Sequence, residues 1–173
     1  AHVATGVELS AYGQQFDTVS VCLSKGLGAP VGSVLAGSRA HIEEARVWRK
    51  RYGGGMRQAG SLAAAGLWAL DHHVARLAED HRRARTFSEA VASRFPEVID
   101  LTHVETNIVM ADVGQAGWAA ADFVSAAAQR GLRMYAVNDS DVRLVWHLDV
   151  DDADTTYASD VVNTLFTGPA GRS

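Results

Sequence analysis

The sequence predicts an α/β fold that passes into a compact α+β unit, and three features carry that expectation. Val19, Val21 and Leu23 alternate with smaller or polar residues as far as Lys25, and a Gly- and Pro-bearing stretch then separates them from a second β-like run ending at Gly37. Period-two alternation punctuated by Gly and Pro reads as two strands joined by a loop. Beyond Ser38, apolar residues recur at helical spacing, and after Phe95-Pro96 short strand-like and helix-like segments follow one another.

The elements follow in order. Ser38 is placed to cap a helix carrying Ile42, Ala45 and Trp48 on one face and ending before Gly53-Gly54-Gly55. Met56 to about Leu70 is rich in Ala, Gly and Leu, which suits a helix packed in an interior or at a subunit contact. Val74, Leu77, His81, Ala84, Ser88, Val91 and Phe95 mark one face of a long charged helix that Pro96 ends. A strand at Ile108-Val109-Met110, a helix presenting Trp118, Ala121, Val124 and Ala128 up to Gly131, and strands near 133–137 and 142–150 come next. Asn138-Asp139-Ser140 is the turn between those strands, and Asp151 caps a last helix with Ala153, Tyr157, Val161 and Leu165 in register. The expected division is 1–94, the later part of a larger domain, then 95–167, a small α+β domain, with 168–173 a disordered tail.

Composition sets the class. The chain has 173 residues, 47% of them hydrophobic and 21% charged, with a formal net charge of −4. That is ordinary for a soluble protein of about one domain. No basic stripe with interleaved aromatics offers a nucleic-acid surface. No apolar run approaches the ~18 residues of a membrane span, and Ala1 onward does not read as a signal peptide. Cys22 is the sole cysteine, so a reducing, cytoplasmic compartment is expected.

Lys25 is the leading chemical candidate. An ammonium at the end of a strand, followed at once by Gly26, stands where α/β folds place ligands. Burial there would lower its pKa and free the amine as a nucleophile for a carbonyl cofactor; the alternative is a solvated strand-end lysine. Arg143 is the second candidate. Val142, Leu144 and Trp146 share one face of their strand and Arg143, Val145 and His147 the other. A guanidinium in so apolar a strand needs a partner, a carboxylate ligand or a structural acid. Lys50 and Arg57 flank the triple glycine, where backbone N–H groups can turn toward an anion, or where a hinge simply carries solvated charges. Ser24 suits a phosphate oxygen or a turn, and Asn107 a pocket or a strand edge. His72, His73, His81, His103 and His147 match no metal-ligand spacing, and Asp151-Asp152-Ala153-Asp154 is explained by the start of a helix. No Walker, dinucleotide or nucleophile-elbow motif occurs.

Cys22-Leu23-Ser24-Lys25-Gly26-Leu27-Gly28-Ala29-Pro30-Val31-Gly32-Ser33 resembles the pyridoxal-phosphate lysine segment of the low-specificity L-threonine aldolases, in the beta-eliminating lyase/threonine aldolase family. Trp48 to Gly60 is similar to that family's next signature and Val142 to Val150 to its C-terminal one, in family order. The resemblance implies the aspartate-aminotransferase-like fold type I, with pyridoxal 5'-phosphate held as a Schiff base on Lys25. It places Lys50 and Arg57 near the cofactor phosphate or substrate pocket and gives Arg143 the substrate α-carboxylate; Ser24, one residue before the lysine, is the further candidate for the cofactor phosphate. No metal is implied. The implied activity is an aldehyde-lyase (EC 4.1.2.-) cleaving L-threonine or L-allo-threonine to glycine and acetaldehyde. A homo-oligomer, dimer or tetramer, is implied as well. The match covers the family's second half: the aspartate on the pyridine nitrogen, the phosphate loop and the ring-stacking residue would all precede Ala1. The chain is therefore expected to be a fragment with little activity alone. The alternatives are another fold type I lyase or transaminase, or a truncated, non-catalytic paralogue that only self-associates.

Overall fold

The structure is a computed structural model that describes residues 1–168. It falls into two compact units, one spanning Ala1–Leu77 and one beginning at Ala78.

The first unit opens with short helices α1 (His2–Thr5) and α2 (Leu9–Gly13). β1 (Thr18–Cys22) and β2 (Ser33–Gly37) then pair antiparallel, with Thr18 opposite Gly37 and Cys22 opposite Ser33. The expected pair of strands around the lysine loop is therefore present. Neither face of the hairpin is covered: every residue but Val19 is exposed, including Val21, Val34 and Leu35. α3 (Arg39–Arg51) starts where the sequence places it, the Ser38 hydroxyl accepting the His41 N–H at 3.2 Å. α4 (Gly60–His73) begins later than expected, after an irregular stretch in which Gln58 has a φ of 50°. Its small residues do pack tightly, but on one line only: Gly66 and Ala69 are buried, whereas Leu67, Trp68 and Leu70 are exposed. The unit's buried cluster is small, made of Leu23, Leu27, Ala29 and Ala69 with Val74 and Leu77 against it.

The second unit holds the larger core. α5 (Leu77–Ala92) buries Ala84, Phe87, Ser88 and Val91. This helix packs with the second unit. Its apolar face is matched to the core of the second unit, where Phe87 meets Trp146 at 4.9 Å between ring centres. β3 (Ile108–Asp112), β4 (Tyr135–Ala136) and β5 (Asp141–Val145) form an antiparallel sheet in the order β3-β5-β4. α6 (Ala120–Ala128) ends through Gly131, whose φ of 77° lets the Leu132 N–H return to the Ala127 carbonyl at 3.0 Å. α7 (Asp152–Thr167) begins with a capping box, Asp151 and Asp154 each accepting the other's backbone N–H. Val109, Ala111, Val142, Leu144 and Trp146 bury one face of the sheet in the same cluster as Phe87, Phe123, Val162 and Phe166.

Expectations for the later strands and for α7 also change. The strand near 142–150 stops at Val145, and that near 133–137 shrinks to Tyr135–Ala136. On α7, Val161 and Leu165 are buried as expected but Ala153 and Tyr157 are exposed, and Thr155, Ala158, Val162 and Phe166 also face the core. The Thr155 hydroxyl donates to the Asp151 carbonyl and the Ser159 hydroxyl to the Thr155 carbonyl, so these polar side chains occupy the inner face with their bonds met. The expected disordered tail lies outside the described residues from 169 on.

Candidate active site

The lysine loop is built to hold its backbone still while leaving one side chain free. Leu23, Leu27 and Ala29 are buried, but Ser24, Lys25 and Gly28 between them are exposed. The Ala29 N–H donates to the Leu23 carbonyl at 3.0 Å and the Gly28 N–H to the Lys25 carbonyl at 2.8 Å, closing the loop on itself. The Leu23 N–H reaches the Gly32 carbonyl at 3.0 Å, continuing the hairpin ladder past its last strand pair. Gly28, at φ 70°, takes a left-handed conformation that costs an ordinary residue about 1–2 kcal/mol. At Gly66 of α4 a Cβ would come within 3.1 Å of Leu23 Cδ1, so this glycine lets helix and loop approach. Lys25 is exposed, and the desolvation expected to activate it is not supplied by these residues; what they supply is a fixed base under a reachable amine.

The other candidates of the first unit divide. The Ser24 hydroxyl donates to the Gly32 carbonyl at 3.4 Å, the turn-forming role. Lys50 is exposed and folds back over Gly55, where a Cβ would lie 3.0 Å from its Cδ. Arg57 is exposed in the irregular stretch before α4. The Gly53 and Gly54 N–H groups, expected to turn toward an anion, instead donate to the Lys50 and Arg49 carbonyls at 3.1 and 2.8 Å, closing the C-terminus of α3. That use is the stronger one, because helix-end carbonyls otherwise lack partners. Anion binding at this corner therefore rests on the side chains of Lys50 and Arg57 rather than on those two glycines.

Arg143 sits in the second unit on the open face of its sheet. The expected alternation holds: Val142, Leu144 and Trp146 are buried, and Arg143, Val145 and His147 are exposed. In the ladder Arg143 lies between Met110 and Tyr135. Its guanidinium is 5.8 Å from the Tyr135 ring centre, within cation–π range. No ion pair to Arg143 occurs among the described residues, so the structural-acid alternative finds no support. Asn107 takes the strand-edge role, its side-chain amide donating to the Trp146 carbonyl at 2.7 Å. His147 lies past the end of β5 and accepts the Asp149 N–H at 3.3 Å. Among the described residues no three His, Cys, Asp or Glu side chains are grouped to hold a metal ion, and no helix is long and apolar enough to cross a membrane.

Two features, one in each unit, escape a reading by pattern. Strand alternation gives the face of Arg143 but not its neighbours, because Met110 and Tyr135 are set by register. His73 enters as half of a histidine pair with no ligand spacing, yet its Nδ1 lies 2.5 Å from the Leu27 carbonyl, 46 residues away. No local signal reports a contact of that separation.

Comparison with known proteins agrees with the sequence motifs. The low-specificity L-threonine aldolase of Escherichia coli K12 is 45% identical over 152 residues, covering 87% of this chain and 43% of that protein. A Listeria monocytogenes structure with a provisional L-allo-threonine aldolase assignment superposes with a TM-score of 0.66 at 16% identity, covering 94% of this chain and 48% of that one. The ornithine aminotransferase of Toxoplasma gondii gives 0.63 at 16% identity, covering 96% and 40%. The fold is that of the pyridoxal-phosphate-dependent, transferase-like fold type I enzymes. The chain spans about half the length of the curated relatives it matches. The family described as "Beta-eliminating lyase" matches residues 1–116, and the chain belongs to that family.

Proposed function

We propose that this chain carries the lysine-bearing half of a pyridoxal-phosphate-dependent threonine aldolase that cleaves L-threonine or L-allo-threonine to glycine and acetaldehyde. The observation that carries the reading is the exposed Lys25 amine on a loop pinned by Leu23, Leu27 and Ala29. The residues fit the cofactor: an accessible primary amine to hold it covalently, and the cations Lys50 and Arg57 in the same unit for its phosphate. Ser24 is a weaker phosphate partner, since its hydroxyl already has the Gly32 carbonyl. When bound, pyridoxal phosphate supplies an electron sink for the charge that develops at the substrate Cα as the Cα–Cβ bond breaks.

The chain's own residues bind and orient. Arg143 offers a planar fork to the substrate carboxylate, and Met110 and Tyr135 flank it with apolar surface that favours that charge pairing over hydration. The pinned loop limits the region that Lys25 Nζ can reach, and so would fix where the amine holds the cofactor. The rest of the site is assigned to the remainder of a longer polypeptide, in which 1–94 completes the cofactor domain and 95–167 forms the small one. A homo-oligomer working in the cytoplasm completes the proposal.

The test is borohydride reduction of the full-length protein with pyridoxal phosphate, followed by peptide mapping and product analysis. A label on Lys25 that Lys25→Ala abolishes, with acetaldehyde and glycine formed from threonine, is the expected result. Pyruvate or another oxo acid in place of acetaldehyde would move the protein to the eliminating or transaminating reactions. No label on Lys25 would end the reading.

A further inference from the structure

We propose, building on the cofactor role of Lys25 given above, that His73 is a positioning residue for that lysine: its Nδ1–H holds the Leu27 carbonyl and thereby fixes the loop that presents the amine.

A carbonyl oxygen only accepts, so the ring nitrogen 2.5 Å from the Leu27 oxygen carries the proton. The ring is half-buried and meets Trp68 edge to face, with ring centres 4.8 Å apart at 89°. Trp68 is fixed in turn by stacking on His72 at 4.3 Å, and His72 Nδ1 is bonded to the Trp68 carbonyl at 2.8 Å. The last turn of α4 is therefore a small scaffold that ends on Leu27. Leu27 is two residues from Lys25 and buried, and the Gly28 N–H next to it closes on the Lys25 carbonyl. Gly26, between them, has Leu77 Cδ2 3.0 Å from where a Cβ would stand. The carbonyl between these packed positions is held by His73. Without that bond the Leu27–Gly28 peptide is free to rotate, and because the Gly28 N–H of that same peptide holds the Lys25 carbonyl, Lys25 moves with it.

His73→Phe keeps the ring and removes the donor; His73→Asn keeps an N–H near the same place. Both are made in the full-length protein, with melting by circular dichroism to confirm folding. The readouts are the rate of borohydride trapping of pyridoxal phosphate on Lys25, amide exchange at Gly28 and Ala29, and kcat and KM for threonine. His73→Phe is expected to speed exchange and slow trapping by about tenfold, the scale of one lost hydrogen bond. It should lower kcat more than it raises KM, and His73→Asn should recover most of the loss. Wild-type exchange and trapping in a folded His73→Phe variant would overturn the proposal. So would a folded His73→Asn variant as loose as His73→Phe. If the unaltered protein traps no cofactor, the functional reading fails, and exchange at Gly28 and Ala29 still decides whether His73 anchors the loop.

Discussion

Arg143 shows how much one residue's chemistry depends on what surrounds it. Its strand partners, Met110 and Tyr135, give it an apolar setting and one aromatic face, but no competing acid among the described residues. A guanidinium so placed keeps its fork available for a ligand carboxylate. Replacing it with lysine retains the charge and loses the bidentate geometry. Arg143→Lys in the full-length protein is expected to raise KM for threonine about tenfold, and Arg143→Ala further, with cofactor trapping on Lys25 unchanged. Steady-state kinetics beside the trapping assay check both parts. The alternation that exposes Arg143 was legible in the sequence because period two is a local property. Its neighbours were not, because register joins residues far apart in the chain. Lys25 divides the same way: the pattern located its loop, while its exposure reflects packing that no short window contains.

Among the elements, α5 carries a buried aromatic side chain into the core of the second unit. Phe87 is 1% exposed and packs on Trp146, itself bonded through its indole N–H to the Thr155 hydroxyl at 3.0 Å. Phe87→Ala is expected to cost about 3–5 kcal/mol, read as a lower urea midpoint. Helix starts were the most legible part of the fold, since Ser38 and Asp151 cap through side chains a few residues from the groups they satisfy. Helix faces were less so. On α7, Thr155 and Ser159 conceal the buried stripe from any count of apolar residues, because each returns its hydroxyl to a carbonyl at or beside its own helix. The triple glycine misled for a related reason: Gly53 and Gly54 have their N–H groups drawn back to α3.

For the molecule as a whole, acid should weaken the second unit in two stages. Burial holds His81 below its ordinary value of 6.5, so the unfolded chain takes up its proton first and stability falls as pH drops below 6.5. Asp152 is held below 3.8 by hydrogen bonds from Arg83 and then Arg82, so its contribution is present above that pH and lost as pH falls through the lower folded value. Urea midpoints measured against pH should show both stages, the upper one absent in His81→Gln and the lower one in Asp152→Asn. The first unit presents a different property. β1 and β2 leave their hairpin largely open, so beyond cross-strand pairing such as Val21 with Val34 the described residues constrain Val21, Val34 and Leu35 only weakly. A saturation-mutagenesis survey of the full-length protein would turn that freedom into a map: wherever selection rejects polar replacements along this hairpin, it records the footprint of a surface that lies beyond these residues.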